Sequence, residues 1–352
     1  MEKDKMNNKP TNKTIPIVLS SDNNYCLQLL VTLMSIVSNR KPTTSYSFLI
    51  LISDDFKEEY KSIINRILKD QKLQEAQFIA MGSSYSNAYV SAKHITTTTF
   101  YRLSLPELLN EDRCLYLDVD IVVRDDLGEL FSRLKDDQMI AGVKAASYYW
   151  PPDSLKDRAE RLMIDRFDSY INAGVLIMNL SLMREMNMTG RFNELLKNRW
   201  NDQDILNSAC YGHIGILPLK YNSMTKYHNE KPDSYDSPSF PYLKTTYSRK
   251  EWEEACKNPV IVHYADWEKP WNDLSVSHSA LWWKYLKMVD EYYPCLENSF
   301  VELTETEAEN AHQDDPIYLN TLVELESIKK SLSFRIGRIL TFPLRKIRDL
   351  LK

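Results

Sequence analysis

The chain has 352 residues, 43% of them hydrophobic, and a formal net charge of -5 at pH 7. A chain of this length can bury one large core or two ordinary ones. The negative net charge gives no electrostatic basis for binding nucleic acid, so we expect no nucleic-acid partner. The five cysteines are an odd set without metal-type spacing, which is typical of thiols that stay reduced in the cytosol.

Residues 1–14 are rich in Lys, Asn and Asp, and they contain no apolar run of the kind that a secretory signal requires. We interpret them as a polar leader. No stretch of the sequence is long and apolar enough to cross a bilayer. We therefore expect a cytoplasmic protein.

The part of the chain that follows the leader alternates between predicted strands and helices. Strands are predicted at 15–19, 47–52 and 77–81, with one helix after the first strand and another at 55–69. Asp22 is predicted to cap the first of these helices. The β-α-β-α-β order predicts an α/β fold with a mainly parallel sheet, whose ligands bind at the carboxyl ends of the strands.

Two carboxylates, Asp118 and Asp120, lie two residues apart inside an apolar run at 114–123. Such a run predicts a buried strand, in which alternate residues share a face, so that Val119 would point away from both carboxylates. Like charges held together near a core repel each other, which is tolerable if a divalent cation neutralises them. Carboxylate oxygens suit Mg²⁺ or Mn²⁺, and such ions commonly bridge to a diphosphate. The alternative is a strand that ends in a solvated turn.

A second apolar run, at 260–262, ends in His263, and Lys269 follows six residues later. An imidazole beside the two carboxylates would complete a mixed oxygen and nitrogen shell, which favours Mn²⁺ over Mg²⁺. Lys269 would supply a point charge for phosphate oxygens. The alternative for His263 is a structural histidine with an ordinary hydrogen-bond partner.

Six segments carry a resemblance to a known family: SSDNNY at 20–25, TFYRL at 99–103, LYLDVD at 115–120, NAGV at 172–175, DQDILN at 202–207, and HY at 263–264 with KPW at 269–271. In this order they resemble the retaining glycosyltransferases of glycosyltransferase family 8, the glycogenin and lipooligosaccharide galactosyltransferase kind. The resemblance spans most of residues 15–290. It implies a GT-A, Rossmann-like domain at 15–293, with a mixed, mainly parallel sheet flanked by helices.

The resemblance also implies a reaction and a set of site residues. The reaction is transfer of glucose or galactose, with retention of configuration, from a UDP-sugar to a glycan or glycosylated protein in bacterial surface glycan synthesis. Asp118, Asp120 and His263 would hold Mn²⁺, with Mg²⁺ as the alternative, and Lys269 would neutralise the β-phosphate. Further donor contacts, in addition to the metal-binding pair, are implied for Asp22, Asn24, Tyr25, Arg102, Val119 and Ala173. The implied catalytic candidates, which grip the donor sugar and line the reaction centre, are Arg102, Asn172, Asp202 and Gln203.

Some of these residues have a second interpretation. Arg102 is equally consistent with a partner for a nearby carboxylate. Gln203 carries an amide, which is a poor nucleophile, so front-side attack is favoured over a covalent glycosyl-enzyme. The resemblance would place His94 beside the acceptor. Asp266 stands where the relatives usually carry Gly, which implies a different geometry of the phosphate loop.

Two other classes of protein remain as alternatives. One is a non-catalytic protein of the same fold that binds UDP-sugar or glycan. The other is a metal-dependent phosphodiesterase, which is disfavoured because two-metal sites need more ligands than one carboxylate pair and one histidine.

The segment at 223–248 holds many aromatic residues with little periodicity. It predicts an ordered but irregular excursion whose rings either bind acceptor sugars or pack on the core, and packing is favoured.

Residues 294–352 form a predicted C-terminal helical tail that is first acidic and then, at 329–352, basic with interleaved large apolar residues. Such an amphipathic segment can lie on the inner face of the cytoplasmic membrane, which would make the protein peripherally membrane-associated. The alternative is a terminal helix that docks on its own domain or on a partner subunit.

Overall fold

The computed structural model describes residues 14–86, 88, 97–228, 235–265, 267–295 and 299. The predicted leader up to residue 13, His94, Asp266 and the basic tail at 329–352 lie outside the described residues. Within the described part of the chain, no helix combines the length and the apolar character needed to cross a bilayer.

The described residues form two β-sheets with helices packed around them. The strands are β1 Thr14–Ser21, β2 Ser45–Ile52, β3 Gln77–Ala80, β4 Arg113–Leu117, β5 Ile121–Val123, β6 Ile140–Gly142, β7 Val175–Asn179, β8 Ile214–Ile216, β9 Ser223–Met224 and β10 Ile261–His263. The α-helices are α1 Cys26–Ser38, α2 Glu58–Asp70, α3 Leu105–Leu108, α4 Gly128–Phe131, α5 Leu155–Arg161, α6 Leu180–Glu185, α7 Met188–Leu196, α8 Asp202–Ala209, α9 Pro241–Thr246, α10 Arg249–Lys257 and α11 Ser279–Asp290.

The larger sheet has seven strands in the order β3-β2-β1-β4-β7-β6-β8. Strand β7 runs antiparallel to both of its neighbours, and the other pairs are parallel. The smaller sheet has the order β5-β10-β9. A mixed, mainly parallel sheet with helices is the predicted α/β fold class, which is confirmed.

The central strands β1, β4 and β7 are buried on both faces of the larger sheet, which explains why they are apolar at successive positions. Ile17 and Leu19 of β1 pack in one cluster with side chains of α1, α2 and α11. Val18, which points the opposite way, packs in a second cluster with side chains of α3, α6, α7 and α8. The period of two along β1 thus assigns its side chains to two helical layers.

The apolar run at 114–123 is not one strand, and this part of the sequence prediction was wrong. Strand β4 ends at Leu117 in the larger sheet, and β5 begins at Ile121 in the smaller one. Within the run, residues 114–117 and 121–123 are all buried and apolar, so the composition of the two pieces is the same as that of a single long strand. The two carboxylates therefore lie in the connection at 118–120, which we call the sheet junction.

Hydrogen bonds tie each end of the sheet junction to a different sheet. The backbone N–H of Asp118 donates to the carbonyl of Gly174 at 2.8 Å, next to β7 of the larger sheet. The carbonyl of Asp120 accepts from the backbone N–H of Tyr264 at 3.0 Å, next to β10 of the smaller sheet. Between them, the Thr32 hydroxyl on α1 lies 2.8 Å from the carbonyl of Val119.

The aromatic residues of the segment at 223–248 pack on the core, as the favoured prediction has it. Tyr227 and Tyr235 are buried members of the main cluster, and Phe240 and Tyr242 pack against it while partly exposed. Because these rings are packed on the core, the described part of this segment follows an ordered path although its sequence has no regular periodicity.

Candidate active site

A cleft opens at the edge of the larger sheet where β1 and β4 end and β7 begins. Its walls come from the sheet junction, the 3-10 helix Thr97–Ser104, the loop before β7, the first turn of α8 and the end of β10. The predicted site residues that line it are Tyr25, Arg102, Asp118, Val119, Asp120, Asn172, Ala173, Asp202, Gln203, His263 and Lys269. Segments far apart in sequence meet here because carboxyl ends of parallel strands share one edge of a sheet.

Two predicted donor contacts, Asp22 and Asn24, are not among the residues that line this cleft. Asp22 Oδ1 accepts hydrogen bonds from the backbone N–H groups of Asn24 and Tyr25, at 2.9 and 3.1 Å. The predicted cap is therefore present, but it caps the 3-10 turn Asn23–Tyr25 that precedes α1. It fixes the position of Tyr25 at the cleft wall.

Asp118, Asp120 and His263 bring one ligand atom each to within 4.8 Å of the others. His263 is buried at the end of β10, and its Nε2 lies 3.2 Å from Asp120 Oδ1. Two carboxylate oxygens and one imidazole nitrogen are a donor set that suits Mn²⁺. The sequence prediction that these three residues converge agrees with this geometry.

Each carboxylate of the pair also has its own cation from the protein. Arg102 Nη2 lies 2.9 Å from Asp118 Oδ1, and Lys269 Nζ lies 2.8 Å from Asp120 Oδ2. From the sequence, a divalent cation is expected to relieve the repulsion between the carboxylates. The structure shows that Arg102 and Lys269 already offset that repulsion.

The electrostatic surroundings of Asp120 favour its ionised form. Burial by itself raises the pKa of the carboxyl group, but the charges of Lys269 and His263 and the hydrogen bonds from both residues outweigh it. The pKa of Asp120 therefore lies well below its ordinary value. A carboxylate that stays ionised is the form that binds a cation.

Arg102 is 2% exposed, and its guanidinium bridges two acidic residues from different parts of the chain. Besides Asp118, it contacts Asp202, with Nε 3.1 Å from Oδ2. Its guanidinium carbon lies 4.2 Å from the centre of the Tyr116 ring, and Nη1 donates to the carbonyl of Ala173. This geometry matches the second interpretation of Arg102, as a partner that holds nearby carboxylates in place.

Asp202 lies at the start of α8 and is buried. Burial raises the pKa of its carboxyl group, and the charge of Arg102 only partly offsets that rise. The second residue of that turn, Gln203, turns its amide oxygen towards Asn172 Nδ2 at 3.2 Å and the backbone N–H of Ala173 at 3.1 Å. Both lone pairs of this oxygen therefore have hydrogen-bond donors.

Gly174 is a site residue that sequence reasoning did not single out, although it lies within the NAGV segment. A Cβ atom on Gly174 would lie 2.4 Å from His263 Cε1 and 2.7 Å from Asp118 Oδ2. Only glycine lets the backbone pass this close to two of the three clustered ligand residues. The sequence signal for this role was the glycine itself, because it directly follows Asn172 and Ala173, which both line the cleft.

Comparison with a known structure identifies the fold. The structure of the galactosyltransferase LgtC in complex with donor and acceptor sugar analogs matches with a TM-score of 0.63 at 23% sequence identity, over 78% of this chain and 96% of that one. The fold is therefore the GT-A fold of glycosyltransferases, as the resemblance implied.

The family follows from the sequence. The family model described as glycosyl transferase family 8 matches residues 16–275, and the chain belongs to this family. It is 24% identical over 266 residues to General stress protein A of Bacillus subtilis (strain 168), covering 73% of this chain and 87% of that protein. It is 28% identical over 279 residues to a lipopolysaccharide 1,2-glucosyltransferase of Escherichia coli, covering 76% of each. Of two streptococcal relatives that it matches, the chain spans only 35% and 34% of the length.

Proposed function

We propose that this family 8 glycosyltransferase is a metal-dependent, retaining enzyme that moves glucose or galactose from a UDP-sugar to a glycan or glycosylated protein. The observation that carries the proposal is the cluster of Asp118, Asp120 and His263, whose ligand atoms lie within 4.8 Å of one another beside the ammonium of Lys269. A cleft with acidic ligands and a cation suits a donor whose leaving group is a diphosphate.

Mn²⁺, with Mg²⁺ as the alternative, fits the donor set of this cluster, and the absence of a side chain on Gly174 leaves room beside it. When bound, the ion would neutralise the charge that develops on the departing UDP. Lys269 would contribute a second positive charge to the β-phosphate, since its Nζ already reaches into the cleft towards Asp120.

The uridine and ribose would lie against the 3-10 turn after β1, where Asp22 fixes Asn24 and Tyr25. Val119 and Ala173 line the cleft beside the ligand cluster and would contact the donor between the nucleotide and the sugar. This arrangement would place the anomeric carbon near the first turn of α8.

At the reaction centre, four side chains would bind the donor sugar: Arg102, Asn172, Asp202 and Gln203. Gln203 Oε1 accepts from two N–H groups, so neither of its lone pairs is left for attack on the anomeric carbon. This supports front-side attack by the acceptor, with the hydroxyl proton passing to the departing diphosphate. Arg102 would fix the positions of the Asp118 and Asp202 carboxylates next to the sugar.

For the acceptor we propose a bacterial surface glycan or a glycosylated protein, because one relative is a lipopolysaccharide glucosyltransferase. We further propose that residues 15–293 form the transferase domain in the cytoplasm. The basic segment at 329–352 would bring it to the inner face of the membrane.

The test is a screen of UDP-sugars with Mn²⁺, following hydrolysis and product formation, on the wild type and on Asp118→Asn and Asp120→Asn. Either substitution removes a metal ligand and should lower the rate by roughly 100-fold or more. Asp125→Asn, whose side chain is 61% exposed, is the control. Donor binding without turnover in the wild type would favour the non-catalytic alternative, and near wild-type rates in both site variants would remove the cluster from the mechanism.

A further inference from the structure

A chain of side-chain hydrogen bonds runs from His263 to Asp204. We call its members, His263, Asn222, Asn172, Gln203, Tyr170 and Asp204, the amide relay. From the amide relay we infer that Asn222 is a positioning residue. It keeps a proton on Nδ1 of His263, so that Nε2 is the nitrogen available to a metal ion, and through Asn172 it holds the Gln203 amide in place. The inference rests on the proposed function, since it concerns that metal site and that reaction centre.

Asn222 is fully buried and lies between a 3-10 turn and β9. Its Oδ1 lies 2.7 Å from His263 Nδ1, and its Nδ2 lies 2.8 Å from Asn172 Oδ1. Asn172 Nδ2 in turn donates to Gln203 Oε1 at 3.2 Å. Three consecutive amides thus connect the imidazole at the end of β10 to the first turn of α8.

Two backbone groups determine which way these amides point. Asn172 Oδ1 accepts from the N–H of Gly174 at 3.0 Å, and Gln203 Oε1 accepts from the N–H of Ala173 at 3.1 Å. A backbone N–H can only donate, so the atoms that face Gly174 and Ala173 must be oxygens. The group of Asn222 that faces Asn172 Oδ1 must then be the NH₂ group, which leaves Asn222 Oδ1 to face His263.

The state of His263 follows from this polarity. Because Asn222 Oδ1 accepts, Nδ1 of the imidazole carries a proton, and Nε2 is the nitrogen that faces Asp120 Oδ1, at 3.2 Å. A metal ion bound by Asp120 would take the place of the proton on Nε2, and metal-binding histidines are commonly held in this way by a partner on the other nitrogen.

The far end of the amide relay closes on a carboxylate. Gln203 Nε2 donates to the Tyr170 hydroxyl at 3.1 Å, and that hydroxyl donates to Asp204 Oδ1 at 2.6 Å. Arg161 Nη1 holds the other oxygen of Asp204 at 2.9 Å. In every hydrogen bond of the amide relay, the donor therefore lies on the His263 side and the acceptor on the Asp204 side. Reversing it would leave the buried N–H groups of Gly174 and Ala173 facing donors.

Two substitutions at one position separate the two roles. In Asn222→Leu, both hydrogen bonds are lost, so His263 should populate both tautomers and Mn²⁺ affinity should fall by roughly 10- to 100-fold. In Asn222→Asp, a carboxylate oxygen still accepts from Nδ1, so Mn²⁺ should bind at least as tightly as in the wild type. The second carboxylate oxygen would repel Asn172 Oδ1, so Asn172 and the Gln203 amide that it contacts should shift, and turnover of the UDP-sugar should fall.

The readouts are Mn²⁺ affinity by calorimetry, hydrolysis of the UDP-sugar, and the tautomer from ¹⁵N shifts of labelled histidine. The chain has only six histidines, so the His263 signal can be assigned by comparison with His263→Gln. Asn179→Leu is the matched control, because Asn179 is a buried amide that caps α6 away from the amide relay. It should leave the tautomer and the metal affinity unchanged.

An unchanged tautomer and unchanged Mn²⁺ affinity in Asn222→Leu would overturn the inference. Equal loss of affinity in Asn222→Asp and Asn222→Leu would overturn it as well, since a merely structural role predicts no difference between them. The tautomer readout needs neither metal nor substrate. A wild type that turns over no UDP-sugar would therefore contradict the proposed function while the histidine spectra still decide the role of Asn222.

Discussion

Lys269 Nζ lies 2.8 Å from Asp120 Oδ2 and 2.6 Å from the carbonyl of Tyr264, so a buried ammonium neutralises one of the two clustered carboxylates. A metal ion at Asp120 would share this carboxylate with the lysine. The lysine therefore stabilises the site when no ion is bound, and it offsets charge on the donor when one is.

Lys269→Met should lower the free energy of unfolding of the metal-free protein by roughly 2 kcal/mol, because it leaves the carboxylate of Asp120, which is only 18% exposed, without its ammonium partner. Mn²⁺ binding should restore more stability to this variant than to the wild type, since the ion replaces a missing charge. The measurement is thermal unfolding with and without Mn²⁺. Lys61→Met, whose partner Glu58 is 85% exposed, is the control, and an equal Mn²⁺ effect in all three proteins would contradict the prediction.

Gly174→Ala should weaken Mn²⁺ binding strongly, because the added Cβ would lie 2.4 Å from His263 Cε1 and 2.7 Å from Asp118 Oδ2. One or both ligand side chains must move away. Gly190→Ala is the matched control, since the three atoms nearest to its Cβ would all belong to the side chain of Asn187, away from the ligand cluster, and alanine is the better helix former. Titration with Mn²⁺ compares the two variants, and similar affinities would show that the loop before β7 adjusts without disturbing the cluster.

Asp126 should make the stability of the protein depend on pH in the acid range. Burial raises the pKa of its carboxyl group, but hydrogen bonds from Lys41 N–H, Gly128 N–H and the hydroxyls of Thr44 and Tyr46 outweigh it and lower the pKa. A lowered folded-state pKa contributes stability above the unfolded value of about 3.9, and that stability is lost as the pH falls through the folded-state pKa.

Asp126→Asn should therefore cost about 2 kcal/mol of unfolding free energy at pH 7, with a difference from the wild type that shrinks below about pH 4. Denaturant unfolding across this pH range is the measurement. The neighbouring Asp125→Asn, at an exposed position, should change stability by less than about 0.5 kcal/mol. If the difference in unfolding free energy between the wild type and Asp126→Asn did not change with pH, the effect of the substitution would not come from the charge of Asp126.

Deletion of residues 329–352 should release the protein from anionic vesicles and leave hydrolysis of the UDP-sugar unchanged. The segment is basic in an otherwise acidic chain, and its cations alternate with large apolar residues. Binding of the full-length protein should weaken with salt and be small on zwitterionic vesicles. Co-sedimentation measures both, and equal binding by the full-length and truncated proteins would favour docking of the tail on protein.

The first three strands could be predicted from sequence to within a few residues, because each is a short apolar run bounded by polar residues. The division of the run at 114–123 could not, since two short buried strands and one long one have the same composition. Asn222 carried no signal either. Its importance arises from the imidazole of His263, 41 positions later, and from two backbone N–H groups whose direction only the fold determines.

The sheet junction gives the site a mechanical property. Asp118 is hydrogen-bonded through its backbone to the larger sheet, whereas Asp120 and His263 are held by the smaller one. An ion bound by all three would connect the two sheets at the point where the chain passes from one to the other. The angle between the sheets would then set the geometry of the ion. Helix α1 contacts the sheet junction through Thr32. Changes in the packing of α1 would therefore change the metal affinity of the site.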